Sequence, residues 1–111
     1  MTQFSRLAAA ILATSFIAGP VLAADVAAGR QKAQMCTTCH GRDGIATAPD
    51  APNLAGDSSI YLAEQLRAFR DGRRQHQQMS IIAQALSDED IADLSAWFAA
   101  IEVTATLPAV D

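Results

Sequence analysis

The sequence predicts a small all-α domain of three to four helices. The chain has 111 residues, of which 50% are hydrophobic, and this length provides for one small core and excludes a large enzyme fold. Apolar residues recur at helical spacing in the second half of the chain, and no strand-like alternation surrounds its two cysteines. Ser and Asp precede these apolar stretches, where helix N-caps are expected.

Residues 1–23 are predicted to be a secretory signal peptide. Arg6 provides a positive first region, about a dozen apolar residues follow, and Val-Leu-Ala forms a small-residue cleavage site. We expect cleavage after Ala23, or alternatively after Ala24. An uncleaved anchor is disfavoured because a bilayer-spanning helix needs roughly 20 apolar residues. The mature domain, residues 24–111, is therefore expected in the periplasm without a membrane span.

The first helix is predicted to begin at an Asp25 N-cap and to run from Val26 to about Cys36. The following residues, 41–57, are rich in Gly, Pro, Asp and Asn, which favours a loop. A loop of about 17 residues is long enough to wrap around a bound group.

The second helix is predicted to begin at a cap on Ser58 or Ser59 and to continue through Asp71, with Gly72 as its stop. Its buried stripe is expected to consist of Leu62, Leu66 and Phe69.

The last helix is predicted to open with Ser87 as its cap, followed by three acidic residues that suit the helix dipole. Its buried stripe is expected to consist of Ile91, Leu94, Phe98 and Ile101, with Trp97 beside it. The tail beyond Glu102 has no clear period and is expected to be irregular.

The mature domain is acidic and has a thin core. Without residues 1–23 it contains 7 basic and 12 acidic residues, a formal charge of −5, which argues against a nucleic-acid partner. Of its 41 hydrophobic residues, 18 are alanine. A domain this small often needs a disulfide, a bound metal or another cross-link to be stable.

The two cysteines stand in the motif Cys-Thr-Thr-Cys-His, which begins at Cys36 and includes Cys39 and His40. This is the attachment signature of c-type haem. Two thiols at this spacing can form thioethers with the two vinyl groups of the porphyrin, and the adjacent imidazole can then bind the iron. A zinc site would need further ligands, and a thioredoxin-like pair would need a βαβ context. We therefore predict one covalently bound haem c.

Met79 is the predicted second axial ligand of the iron. It follows His40 by 39 residues, in an expected loop between two helices, so the chain has room to reach the far side of the ring. Met35 is adjacent to Cys36 and cannot reach that side. His76 is the alternative, although its glutamine and arginine neighbours are typical of a solvated loop.

These motifs together resemble class I cytochrome c, and more narrowly the single-domain members of the cytochrome c4 and c-553 group. The resemblance extends from Gly29 to about Ile101 and rests on these segments: Cys-Thr-Thr-Cys-His-Gly at 36–41, Pro-Asn-Leu-Ala-Gly at 52–56, the helix pattern from Tyr61 to Arg73, Met79, and Leu-Ser-Asp-Glu-Asp-Ile at 86–91. It implies the class I cytochrome c fold, in which the helices wrap around one haem. Members of the c4 type carry two such domains, whereas this chain has one.

The resemblance also implies roles for single residues. The Pro52 carbonyl would support the His40 ring nitrogen that does not bind iron. Gly29 and Trp97 would form the close crossing of the first and last helices. We further expect four apolar side chains to exclude water from the ring: Leu54, Leu66, Phe69 and Ile81.

Two protein ligands leave the iron no open position, so electron transfer is predicted rather than catalysis. Two alternatives stay open: a dedicated cytochrome subunit of a redox enzyme, such as a flavoprotein sulfide dehydrogenase, and a haem sensor or peroxidase in which Met79 does not bind iron. A cluster of arginines is a candidate docking surface for an acidic redox partner, or else a solvated face paired with Glu64 and Asp71. The cluster consists of Arg67, Arg70, Arg73 and Arg74.

Overall fold

The computed structural model, which describes residues 23–110, has helices joined by loops and contains no strand within that range. This confirms the all-α prediction. The α-helices are α1 (Val26–Lys32), α2 (Thr37–His40), α3 (Ser59–Arg70), α4 (Met79–Gln84) and α5 (Asp88–Ala99), and a 3₁₀ helix (Ala33–Cys36) joins α1 to α2.

The prediction of one continuous first helix from Val26 to Cys36 was wrong. The Asp25 cap is present, and its carboxylate accepts from the backbone N–H of Ala27 at 2.8 Å. However, α1 ends at Lys32 and the chain then tightens into the 3₁₀ helix. Two of its large apolar residues, Val26 and Met35, are 42% and 57% exposed, so no continuous buried stripe holds the segment in one α-helix.

The loop and the second helix follow the prediction closely. Residues 41–58 form no helix or strand. Ser58 caps α3 by accepting from the backbone N–H of Tyr61, and α3 ends one residue before the Asp71 C-cap. Gly72 follows with a φ of +78°, a left-handed conformation that favours glycine after a helix.

The helix α4 was not predicted, and it corrects the placement of Met79. Met79 was expected in a loop, but it is the first residue of α4. The residues Met79, Ile82, Ala83 and Leu86 have the i, i+3, i+4, i+7 spacing of a buried helical stripe. The segment is only six residues long, which is why the stripe is difficult to recognise in the sequence.

The core lies where α5 packs against α1 and α3. Ser87 and Asp90 form a reciprocal capping box that starts α5. The side chains of Ile91, Leu94 and Phe98 are at most 4% exposed, and Ile101 packs at their edge, as predicted. The buried cluster consists of Ala33, Leu62, Leu86, Ile91, Leu94 and Phe98.

The crossing of α1 and α5 requires a glycine. A Cβ atom at Gly29 would lie 2.0 Å from the carbonyl oxygen of Asp93 and 2.9 Å from the Cβ of Trp97. The two helix backbones therefore touch at this point, as the resemblance implied for Gly29 and Trp97.

The predicted signal peptide, residues 1–23, lies outside the described residues except for Ala23. Within residues 23–110, none of the helices has both the length and the apolar character needed to cross a membrane.

Candidate functional site

A cavity opens between α2, α3, α4 and the loop 41–58, with α5 behind it. Its wall includes five residues predicted to act together: Cys36, Cys39, His40, Pro52 and Met79. The sequence separates these residues by up to 43 positions, so the fold brings them together. The remaining wall is mainly apolar, with Leu54, Leu62, Leu66, Phe69, Ile82 and Leu86 among its side chains.

Cys36 and Cys39 reach the cavity from the end of the 3₁₀ helix and from α2. Both are half-buried and neither forms a disulfide. Burial raises the pKa of the Cys36 thiol to about 11. Catalytic redox thiols have depressed pKa values, so Cys36 does not fit a thioredoxin-like role.

His40 ends α2 and is 6% exposed. Its ring Nδ1 lies 2.9 Å from the carbonyl oxygen of Pro52. A carbonyl only accepts hydrogen bonds, so Nδ1 must be the protonated nitrogen, and Nε2 then carries the free lone pair. A histidine that binds a metal needs this arrangement, since the second nitrogen holds the ring in place.

Met79 and His76 both line the cavity, but their side chains have different surroundings. The His76 Nδ1 accepts from the backbone N–H of Gln78 at 3.3 Å and of Met79 at 3.4 Å. Its Nε2 lies 4.0 Å from a carboxylate oxygen of Asp50. The Nδ1 of His76 is therefore already hydrogen-bonded within the chain, whereas Met79 is half-buried and its thioether forms no hydrogen bond within residues 23–110.

Three of the four predicted wall residues line the cavity, namely Leu54, Leu66 and Phe69. Ile81 was a wrong prediction, because it is 71% exposed and does not line the cavity. The register of α4 places Ile82, three residues after Met79, on the wall instead.

The arginine cluster divides into paired and unpaired side chains. Arg70 forms an ion pair with Asp88 at 2.7 Å, and Arg73 forms one with Glu64 at 2.7 Å. Both also approach Asp71 within 3.6 Å. The remaining two, Arg67 and Arg74, make no ion pair within the described part of the chain.

The sequence patterns also did not mark Tyr61, Arg74 and Ser95, which line the cavity. Tyr61 lies four residues before Gln65, another wall residue of α3, and this helical spacing could have revealed it. Ser95 lies on α5, where its buried Oγ has no hydrogen-bond partner. Nothing local in the sequence marks Arg74 or Ser95 as wall residues.

The wall fits a covalently attached haem. It combines two free thiols at the attachment spacing, an imidazole with one nitrogen already fixed, a thioether from a separate helix, and an apolar lining. These groups would supply the covalent bonds, the iron ligands and the exclusion of water that a c-type haem requires.

The comparisons with known proteins agree with this fit. The sequence matches the cytochrome c family over residues 26–101. It is 47% identical over 83 residues to cytochrome c-554(548) of Halomonas halodenitrificans, a match that covers 72% of this chain and 100% of that protein. It is 38% identical over 97 residues to a thiosulfate dehydrogenase electron acceptor of Thiomonas intermedia, covering 86% of this chain and 43% of that protein.

The fold agrees as well. The crystal structure of cytochrome c4 from Pseudomonas stutzeri superimposes with a TM-score of 0.67 and 35% identity, covering 72% of this chain and 47% of that one. The chain thus spans the full length of cytochrome c-554(548) but less than half the length of the other two proteins. The chain belongs to the cytochrome c family of electron-transfer proteins, and its cofactor is haem c bound covalently at the Cys36–His40 motif.

Proposed function

We propose that the mature chain is a periplasmic carrier of single electrons, with its haem iron held between His40 and Met79. The observation that carries this proposal is the cavity wall itself. It combines the attachment motif, a histidine fixed by Pro52, and a methionine from another helix. In this role the protein is not an enzyme, because both axial positions are filled by its own side chains.

Met79 is favoured over the other candidates for the second ligand by their contacts. Met35 is 57% exposed and precedes Cys36 directly. The Nδ1 of the His76 ring already accepts from two backbone N–H groups, and its Nε2 lies 4.0 Å from a carboxylate oxygen of Asp50. The Met79 thioether has no competing partner and starts α4, which holds it against the cavity.

The protein's own contribution to electron transfer is positional and electrostatic. Bound haem supplies one-electron chemistry at its iron. His/Met ligation raises the reduction potential, and the apolar wall disfavours the more highly charged ferric site by excluding water. Pro52 fixes the His40 ring and thereby limits the movement of a ligand between the two oxidation states.

Export to the periplasm is part of the proposal. Residues 1–23 have the charged start, apolar centre and small-residue site of a signal peptide, and residues 24–111 would form the monohaem domain. N-terminal sequencing of the exported protein tests the proposal, with a start at Ala24 or Asp25 expected and a retained Met1 as the contradicting result.

Optical spectroscopy tests the ligation. The ferric protein should show a sulfur-to-iron charge-transfer band, and carbon monoxide should leave the ferrous spectrum unchanged. Met79→Leu should abolish the band and admit carbon monoxide, whereas Met35→Leu should change neither. If the unmodified protein binds carbon monoxide rapidly, the sensor or peroxidase alternative replaces the proposal.

The arginine cluster is proposed to help a redox partner dock. Arg67 carries this proposal best, because Arg70 and Arg73 already have acidic partners within the chain. Complementary charge mainly speeds encounter, so Arg67→Gln should reduce the salt dependence of the electron-transfer rate with the partner. The exposed Arg42 provides the control, and an equal effect of Arg42→Gln would refute docking at the cluster.

A second candidate function is that of a dedicated acceptor for one enzyme. The similarity to a protein named as the electron acceptor of thiosulfate dehydrogenase favours a sulfur-oxidising enzyme as that partner, and the flavoprotein sulfide dehydrogenases are a further example of the class. Co-purification with a larger subunit, together with reduction by thiosulfate only when that subunit is present, would support this function. Equal reduction by unrelated donors would support the general carrier.

A further inference from the structure

The cavity wall carries a single arginine. Arg74 lies four residues after the end of α3 and lines the cavity beside Gln65 and Phe69. It is the only Lys or Arg on this wall within residues 23–110. The other ionisable side chains on the wall are Cys36, Cys39, His40, Asp50, Asp57, Tyr61 and His76.

The Arg74 side chain is held in place without an acidic partner. One guanidinium nitrogen, Nη1, donates to the Gln65 side-chain oxygen. The guanidinium carbon lies 4.6 Å from the centre of the Phe69 ring. Its backbone N–H donates to the carbonyl of Ala68 at 3.0 Å. No carboxylate lies within ion-pair distance in the described chain, in contrast to the neighbouring Arg73, whose partner is Glu64.

Haem c brings negative charge into this cavity. The thioethers at Cys36 and Cys39 would use the vinyl groups of the porphyrin, which leaves its two carboxylates to other wall residues or to solvent. A carboxylate that is partly removed from water needs hydrogen bonds and an opposite charge. The planar guanidinium fork provides both at once, and Arg74 is the one such group on the wall.

We propose that Arg74 is the counter-ion of a haem carboxylate and that Gln65 positions its guanidinium. This proposal requires the haem but does not depend on Met79 as a ligand or on a particular redox partner. The positive charge opposes the extra charge of ferric iron, so Arg74 raises the reduction potential. Gln65 and Phe69 hold the exposed side chain at the edge of the cavity, and its other N–H groups have no acidic partner within the described residues.

The test is the reduction potential of matured variants measured at about 1 M salt, where the Debye length falls to about 3 Å and distant surface charges are screened. Arg74→Met keeps an unbranched side chain beside Phe69 and removes the charge, and the reduction potential of this variant should fall. Arg73→Met removes one charge from the neighbouring position outside the cavity and is the matched control. We expect the fall for Arg74→Met to be at least about threefold larger than for Arg73→Met, because only the short-range charge escapes screening.

Arg74→Lys keeps the positive charge without the guanidinium group. It should recover most of the reduction potential that Arg74→Met loses. Equal shifts for the two methionine variants, or a lysine variant as low as Arg74→Met, would overturn the proposal. If Arg74→Met does not incorporate haem, the reduction potential of Gln65→Leu is measured instead. This variant keeps the Arg74 charge but removes the hydrogen bond that positions the guanidinium. A potential below that of the unmodified protein supports the proposal, and an unchanged potential overturns it. The charge-transfer band of each variant reports Met79 ligation separately.

Discussion

At the scale of single residues, adjacent positions in α4 have opposite environments. Ile82 lines the cavity, whereas Ile81 is 71% exposed and points away from it. Met79 and Ile82 are three residues apart and share a helix face, so the proposed iron ligand and a wall residue come from one turn of α4. The pair therefore provides a matched test of how the wall excludes water.

Ile82→Ala should lower the reduction potential, because water that approaches the ring stabilises the more highly charged ferric site. Its cost in stability should be below the roughly 2–5 kcal/mol of a fully buried site, since Ile82 is 36% exposed. Ile81→Ala should leave the potential unchanged and alter stability by no more than about 0.5 kcal/mol. Redox titration and denaturant unfolding of both variants check this, and equal potentials would show that Ile82 does not shield the haem.

The site residues that can be recognised in the sequence are those whose role requires a fixed, short spacing along the chain. Cys36, Cys39 and His40 are recognisable because haem attachment needs them within five positions. Arg74 and Ser95 reach the wall only through the packing of separate elements, and no local spacing records that. Ile81 was predicted as a wall residue instead of Ile82 for the same reason. The helix α4 was not predicted, so no helical register indicated which of the two neighbours faces the cavity.

At the scale of elements, caps were more informative than hydrophobic stripes. The side chains of Asp25, Ser58 and Ser87 each accept the backbone hydrogen bonds expected of an N-cap, so the starts of α1, α3 and α5 were predicted to the residue or nearly so. The helix α4 begins at Met79, and Gln78 at its N-cap position forms no side-chain cap; the 3₁₀ helix also lacks one. Both short elements depend on contacts with the rest of the domain, which a local pattern does not contain.

The contact between α1 and α5 leads to a second prediction. A Cβ at Gly29 would meet the backbone carbonyl of Asp93 at 2.0 Å, and a backbone atom can move only if the two helices separate. Gly29→Ala should therefore cost about 3 kcal/mol or more, the upper end of the range for overpacking.

Gly72→Ala is the control for this prediction. Its Cβ would meet nothing within 4 Å, so only its φ of +78° opposes the substitution. That strain should cost about 1–2 kcal/mol. Denaturant unfolding of the haem-loaded variants, followed by circular dichroism, compares the two. A Gly29→Ala variant no less stable than Gly72→Ala would mean that α1 and α5 do not touch as described.

At the scale of the whole molecule, one buried carboxylate joins the two ends of the domain. Asp93 on α5 is 2% exposed; it accepts from the backbone N–H of Asp25 at 2.7 Å and from the Lys32 ammonium at 2.7 Å. Lys32 also pairs with Asp90 at 2.9 Å. These bonds flank the contact at Gly29 and lie outside the cavity, so they stabilise the helix pair without taking part in haem binding.

This cluster makes the stability of the domain depend on pH in a defined direction. The hydrogen bond from Asp25 and the pairing with Lys32 lower the pKa of the Asp93 carboxyl, and Lys32 with Ser87 lowers that of Asp90 to about 2. The folded state therefore binds fewer protons than the unfolded state in acid. The stabilisation is present above the unfolded value near 3.8 and is lost as the pH falls from there towards 2.

Asp93→Asn should lower stability at neutral pH and flatten this acid dependence. The loss at pH 7 should be below the roughly 3–5 kcal/mol of breaking a fully buried pair, because the Lys32 side chain is 29% exposed. Glu89→Gln, an exposed substitution in the same helix with no ion pair in the described chain, should keep the acid slope of the unmodified protein. Urea midpoints between pH 2 and pH 7 measure both variants. If Asp93→Asn retains the full slope, the acid sensitivity arises elsewhere and the two ends of the domain are not coupled through Asp93.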